Sequence, residues 1–226
     1  MTKATVTGNK MNFSWDLVDT ILLDMDGTLL DLHYDNYFWG EYLPFYYSKQ
    51  HKLSLIESKK ILEQYSNDVR GTLDWYCLDY WSELLSTDIV KIKSEIDDKI
   101  DLRPHAIEFL AHLNKINKRV ILATNAHPKT LELKLVKKDF SEYFDAMSSS
   151  HDLGYPKEEQ EYWHALTKKF DLDPKRCLFV DDSLPILASA ERFGIGHLLA
   201  IPQPDSQKKP RDCSPYTGIS DFCQLI

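Results

Sequence analysis

The sequence predicts an α/β protein: a doubly wound parallel sheet interrupted, soon after its first strand, by an inserted α-helical cap subdomain. Three observations carry that expectation. Short apolar runs rich in Val, Ile and Leu recur at residues 18–23, 119–123, 176–180 and 197–201, each bounded by turn residues. Helical-period segments alternate with them from residue 103 onward, and repeated βα units pack as parallel strands with helices on both faces. Residues 35–102 break the alternation: they are aromatic-rich, helical in period and without a convincing strand, the pattern of an insertion. The expected organisation is therefore an α/β core from 13–34 and 103–203, a helical cap over 35–102, and a C-terminal tail over 204–226.

Taken in order, Met1 to Asn12 is polar and reads as a loose lead-in without an apolar leader. Residues 18–23 form the first strand, which Gly27-Thr28 terminates. Within the insertion, Ser54-Leu55-Ile56-Glu57 has the capping-box spacing, followed by Ile61, Leu62 and Tyr65 at helical intervals. Asp74 is expected to cap a third helix with Trp75, Leu78, Trp81 or Ser82, and Leu85 inward, and Asp88 a fourth through Ile89, Ile92 and Ile96. Pro104 fits the first turn of a helix through Ile107, Leu110, Leu113 and Ile116. Strand 119–123 ends in Thr124-Asn125, and Pro128 opens the next helix. A weaker strand at 145–149 precedes Gly154-Tyr155-Pro156-Lys157 and a helix carrying Tyr162, Leu166 and Phe170. Strand 176–180 ends in Asp181-Asp182-Ser183, and a helix from Leu184 to Phe193 stops at Gly194. Beyond Pro202 the chain is polar and turn-rich, with only Ser220 to Ile226 expected to fold back.

Composition narrows the partners. The 226 residues are 43% hydrophobic, enough for a real core, and carry a net charge of -8. That charge argues against nucleic acid or an anionic membrane as partner, and no obligate protein partner is signalled. Cys77, Cys177, Cys213 and Cys223 are scattered without a CxxC, and no apolar run spans a bilayer, so reduced thiols in the cytoplasm are expected.

The chemistry lies in polar residues at strand ends, where open parallel sheets bind ligands. Asp24 and Asp26 follow the first strand, Thr124 and Asn125 the second, Lys157 comes after a third, and Asp181 and Asp182 follow a fourth. Two acids at the mouth of a buried strand demand a counter-charge or a metal. Asp24 with Asp182 offers the hard oxygens that Mg2+ takes while keeping waters for a phosphate. Lys157 and the Thr124 hydroxyl complete an electrostatic cradle for phosphoryl oxygens. Asp24 is placed to attack phosphorus, and Asp26 to protonate the leaving alkoxide and then activate water; their neighbours are expected to set the two pKa values apart.

Asp24-Met25-Asp26-Gly27-Thr28, Ala123-Thr124-Asn125, Gly154-Tyr155-Pro156-Lys157 and Val180-Asp181-Asp182-Ser183 resemble the four ordered motifs of the haloacid dehalogenase-like phosphohydrolase superfamily. The match runs from about residue 19 to 201, and the four together are specific although each is short. The resemblance implies a Rossmann-like core, Asp24 as nucleophile and Asp26 as acid/base. It also implies phosphate contacts from Thr124, Asn125 and Lys157, and Mg2+ held by Asp24, the main-chain carbonyl of Asp26, and Asp182. Asp181 stands where many members carry Glu or Gly, so it is either a ligand or a residue behind the ligands. Residues 31–39, 74–81, 124–128 and 154–158 further resemble the bacterial GMP/IMP nucleotidase group of that superfamily, which implies a purine nucleoside 5′-monophosphate as substrate.

A core that holds only phosphate and metal cannot select a leaving group, so the cap must. Its aromatics, among them Trp39, Trp75 and Trp81, can stack a purine or simply pack the subdomain. Asp35, Asn36, His33 and His127 lie near the motifs in sequence and are candidates for polar contacts to ribose or base. The competing readings are a sugar-phosphate phosphatase or phosphoglucomutase of the same fold, a haloacid dehalogenase, and a non-catalytic binding protein. The dehalogenase reading is disfavoured by Asp26, since that chemistry needs no second acid.

Overall fold

The computed structural model describes residues 14–226; the polar lead-in expected at Met1 to Asn12 lies outside the described residues. Strands β1 Thr20–Leu23, β2 Arg119–Thr124, β3 Ala146–Ser149, β4 Cys177–Asp181, β5 His197–Ala200 and β6 Thr217–Gly218 form one sheet in the order β3-β2-β1-β4-β5-β6, every neighbouring pair parallel. β1 is central and fully buried, with Leu22 level with Ile121 on one side and Phe179 on the other. The order reverses beside β1, so the crevice beyond the ends of β1, β2 and β4 is where such a sheet offers a site.

Among the described residues, eleven α-helices accompany the sheet. α1 His33–Tyr37, α2 Leu43–His51, α3 Leu55–Val69, α4 Leu73–Tyr76, α5 Leu78–Leu84 and α6 Ile89–Ser94 all lie between β1 and β2, a π-helical turn at Phe38–Tyr42 joining the first two. The core contributes α7 Ala106–Lys115, α8 Pro128–Lys137, α9 Ser150–Leu153, α10 Gln160–Phe170 and α11 Leu184–Phe193. Alternation along the strands divides the interior in two. Ile21, Leu23, Val120 and Leu122 face a cluster continuous with α7 and the inserted helices, while Leu22, Ile121, Ala123 and Phe179 pack with Trp163 of α10 and Leu187 of α11.

Local signals and outcome differ at instructive places. The capping box at Ser54 and Glu57 forms, and Asp88 accepts from Lys91 N as expected. Asp74, however, lies inside α4, and Cys77 is the residue that caps α5, so the single helix expected from Asp74 is two. Pro104 precedes α7 rather than opening it; His105 takes the left-handed cap conformation at φ 59°, and the inward stripe is Ala106, Phe109, Leu110 and Leu113. The segment 204–226 packs on the core: β6 extends the sheet and Ile219, Phe222 and Leu225 are buried. Its apolar residues are too sparse to show a period, but three of them suffice to close the hydrophobic edge beside α7, where Phe222 stacks on Phe109.

The chain enters and leaves the inserted helices through two segments pinned side by side: Asp31 N donates to Asp101 O at 2.9 Å, and Arg103 N to Leu29 O at 2.8 Å. Gly196, ahead of β5, passes so near the preceding turn that a Cβ there would lie 2.1 Å from Lys175 O. Gly196→Ala is therefore expected to destabilise the fold by about 1–3 kcal/mol, the range for forced overpacking, seen as a lower urea midpoint with an unchanged denaturant slope.

Candidate active site

The site begins where β1 runs out. Asp24 N still donates to Val180 O at 3.0 Å, keeping the residue in sheet register, after which Met25 O accepts from the amides of Leu29 and Leu30, both at 2.9 Å. This tight loop needs Gly27 at φ 86°, and a Cβ on Gly27 would stand 2.8 Å from Asp182 Cγ. Glycine is what lets the loop and Asp182 share the same space.

Lys157 is the centre of the arrangement. Its fully buried ammonium donates to Asp24 Oδ1 at 2.6 Å, Asp181 Oδ2 at 2.7 Å and Ala123 O at 3.1 Å, and so joins the ends of β1, β4 and β2. Its main chain is held as firmly: Lys157 N donates to Asn125 Oδ1 at 2.9 Å, and Trp163 Nε1 donates to Lys157 O at 3.0 Å. Asn125 Nδ2 in turn donates to Glu158 Oε2 at 3.0 Å, and the Thr124 hydroxyl accepts from Ala126 N at 3.0 Å. Asp181 has both oxygens engaged, the second by Ser183 N at 2.7 Å. Asp182 is freer, with Oδ2 3.3 Å from an Arg211 guanidinium that also donates to its carbonyl.

One oxygen each from Asp24, Asp181 and Asp182 lies within 4.8 Å of the others. Burial pushes all three carboxyls up, Asp24 to about 6, and each gains further from an acidic neighbour; Lys157 beside Asp24 and Asp181 opposes the rise. Burial also disfavours the charge of Lys157, but Asp181 and Asp24 outweigh it and hold the ammonium well above its ordinary range. Three carboxylates, two on the buried Lys157 ammonium and the third beside the half-exposed Arg211, are under-neutralised, and a hard divalent cation of oxygen preference fits that donor set.

Asp26 belongs to a second cluster. Its Oδ1 accepts from Lys134 Nζ of α8 at 2.5 Å; the same ammonium donates to Asp35 Oδ2 at 2.6 Å, and Asp35 Oδ1 accepts from Lys93 Nζ of α6 at 2.8 Å. Burial raises Asp26 to about 6 despite Lys134. In Asp35 burial is outweighed by Lys134 and Lys93, which hold its carboxyl well below the usual range. Without a metal, Asp24 and Asp26 both rise to about 6, because burial dominates each.

Of the residues singled out around the cap, Asp35 spends both oxygens on lysines, Asn36 donates to buried Asp205 at 2.7 Å, and His33 lies 3.6 Å from the same acid. His127 is buried beside His151, ring centres 4.7 Å apart. Lys134, Lys93, Asp205 and Arg211 were not visible as site residues in the sequence. Lysines on helical faces read as solvated, and only the fold brings these two under the first strand.

Above the acids opens a cavity of about 910 Å³. Asp24, Asp182, Thr124 and Lys157 are on its lining, together with Asp35, Asn36 and His127; the inserted helices add Trp39, Trp75, Tyr76 and Trp81. Tyr76 OH donates to Glu158 Oε1 at 2.6 Å, joining that wall to the core.

A family model for haloacid dehalogenase-like hydrolases matches residues 18–194. The chain is 42% identical over 216 residues to the GMP/IMP nucleotidase YrfG of Escherichia coli K12, covering 96% of this chain and 97% of that one. In fold it resembles a HAD phosphatase from Thermococcus onnurineus, with a TM-score of 0.74 and 21% identity over 92% of this chain and 96% of the other. It also resembles the magnesium-bound HAD-hydrolase YfnB of Bacillus subtilis, with a TM-score of 0.67 and 17% identity over 92% and 96% of the two chains. The parallel sheet, the carboxylates at its β1 and β4 ends and these matches agree: the chain belongs to the haloacid dehalogenase-like hydrolases.

Proposed function

We propose that this protein is a Mg2+-dependent phosphomonoester hydrolase acting on purine nucleoside 5′-monophosphates, GMP and IMP, in the cytoplasm. The observation that carries it is the under-neutralised set of Asp24, Asp181 and Asp182 around Lys157, at the floor of a cavity walled by tryptophans. The choice of purine rests on the 42% identity to the GMP/IMP nucleotidase.

Asp24 and Asp182 would hold the metal together with the Asp26 carbonyl. Bound Mg2+ supplies positive charge to the phosphoryl oxygens and favours the ionised form of Asp24. Lys157 and Thr124 take further phosphoryl oxygens, and Asn125 fixes the Lys157 backbone. Asp24 attacks phosphorus and forms an aspartyl-phosphate as the nucleoside oxygen leaves. Asp26, raised to about 6, gives that oxygen its proton and then takes one from the water that opens the acyl-phosphate. Asp181, with both oxygens engaged, positions Lys157 and the Ser183 turn instead of touching substrate. The second reading, a sugar-phosphate phosphatase, keeps all of this chemistry and differs only in what fills the cavity.

Asp24→Asn is expected to abolish phosphate release, and excess chelator to suppress it reversibly; full activity under either condition would sink the mechanism. GMP and IMP should exceed sugar phosphates in kcat/KM; equal values would leave a phosphatase without the nucleotide preference.

Replacing Trp75 tests the wall. Trp75→Ala should lower kcat/KM for GMP roughly tenfold, within the ~1–3 kcal/mol of one base-stacking contact, and leave ribose 5-phosphate nearly unaffected. A uniform loss across both substrates would make Trp75 packing alone.

Lys134→Met should cost about 3–5 kcal/mol in urea unfolding at neutral pH, the scale for unpairing a buried charge. Lys134 lowers Asp26, so without it the carboxyl rises above the about 6 it has in the parent protein, and the deficit should shrink as pH falls toward 6, where protonating Asp26 in the variant removes the unpaired charge. A pH-independent deficit would show that packing, not charge, is lost.

A further inference from the structure

Away from the carboxylates, three other ligand-type side chains converge. Cys77, His127 and His151 each bring one donor atom within 4.8 Å of the other two. They come from different parts of the fold: Cys77 caps α5 in the inserted helices, His127 caps α8 and His151 lies in α9, both in the core. Nothing in the hydrolytic mechanism uses this trio.

A sulfur with two imidazoles is the donor set of zinc-type ions, as carboxylates are of magnesium. Thiolate and imidazole nitrogen form more covalent bonds to such ions than oxygen ligands form to Mg2+, so the two sites select different metals.

The state of the histidines agrees. His151 Nε2 is buried and has no hydrogen-bond partner among the described residues, an unusual condition for a polar nitrogen. Its Nδ1 lies 3.4 Å from Ser149 Oγ, which lets Nδ1 carry the ring proton and leaves the lone pair on Nε2. Burial and the neighbouring His127 push His151 down to about 4, and burial lowers His127. Cys77 Sγ already acts as an acceptor, from Tyr80 N at 3.5 Å. Ligation by His127 gives up its long 3.3 Å contact from Lys129 N, because a neutral imidazole has a single nitrogen lone pair. Asp79 Oδ2, 3.8 Å from His127 Nε2, is a further oxygen donor at the rim.

We propose that Cys77, His127 and His151 form a binding site for a divalent transition-metal ion of zinc type, separate from the carboxylate site, which ties the inserted helices to the α/β core. The tie matters because of where it falls. His127 stands two residues beyond Asn125, and the two serines before His151 hold the same loop, Ser149 Oγ donating to Ala126 O at 2.7 Å and Ser150 Oγ to Asn125 O at 3.3 Å. An ion bridging from Cys77 to this loop cross-links the cavity wall to its floor and slows any exchange of substrate and product that requires the two to part.

The test uses the full chain with saturating Mg2+, titrated with Co2+ and then Zn2+. A single equivalent of Co2+ should give the near-ultraviolet thiolate-to-cobalt band, which carboxylate ligation cannot produce. The band should vanish in Cys77→Ser, where serine still caps α5, and weaken at least tenfold in Co2+ affinity in His151→Ala. It should persist in Cys223→Ser, which removes the thiol near His105 and Asp221. Absence of the band in the parent protein, or its loss with Cys223 and not with Cys77, overturns the site. Micromolar Zn2+ should then slow turnover of the parent protein relative to its own zinc-free rate and spare Cys77→Ser. Equal inhibition of both would place the effect at the carboxylates and overturn the cross-link.

Discussion

The buried ammonium of Lys157 is the constraint on which the rest depends. It is fully enclosed, yet it reaches Asp24, Asp181 and the Ala123 carbonyl, and therefore fixes the ends of three adjacent strands relative to one another. A charge so placed is tolerated only because its partners are charged and its remaining protons are satisfied. Everything else at the site follows from holding it there. Asn125 grips its amide, Trp163 its carbonyl, and the Gly27 loop brings Asp182 against the same group of acids. The lysine neutralises part of the acidic cluster and leaves the remainder as the demand for a divalent cation.

A second buried chain of charges, Lys93–Asp35–Lys134–Asp26, runs from α6 through α1 and α8 to the loop after β1. Aromatic rings insulate its outer end, with Lys93 Nζ 4.5 Å from the centre of Phe38 and 4.8 Å from that of Tyr34. Asp35 is the pivot, since it alone pairs with both lysines and stays ionised. The chain makes the orientation of Asp26 depend on the inserted helices, so the part of the protein that surrounds the leaving group also positions the residue assigned to protonate it.

How much of this was legible in the sequence varies with the kind of signal. Strand ends were legible because apolar runs of three or four residues stop abruptly at Asp24, Thr124 and Asp181, and the capping chemistry of Ser54 and Asp88 is local. The break at Cys77 was not, because Trp75, Leu78 and Trp81 keep helical spacing across it and a cysteine cap carries no sequence signature. Lys93 and Lys134 were hidden for a different reason. Lysine on a helix is ordinarily solvated, and burying one requires acids supplied from residues about sixty to a hundred positions away in the chain. Asp205 was missed in the same way: its role in holding Asn36 and His33 comes from the return of the C-terminal segment over the start of α1.

The inserted helices are thus attached to the core by unequal means. At the α1 and α6 end the buried ion chain makes separation expensive, since parting Lys134 from Asp35 would strand charges with almost no access to water. At the α4 and α5 end the direct ties are Tyr76 to Glu158 and the largely exposed Lys129–Asp79 pair, and exposed pairs of that kind contribute little. The asymmetry makes separation of the inserted helices from the core easier on the side of Trp75 and Tyr76 than beside Asp26, whose partner Lys134 also holds Asp35. The Cys77, His127 and His151 cluster lies on the weakly tied side, where one bridging ion has the most motion to arrest.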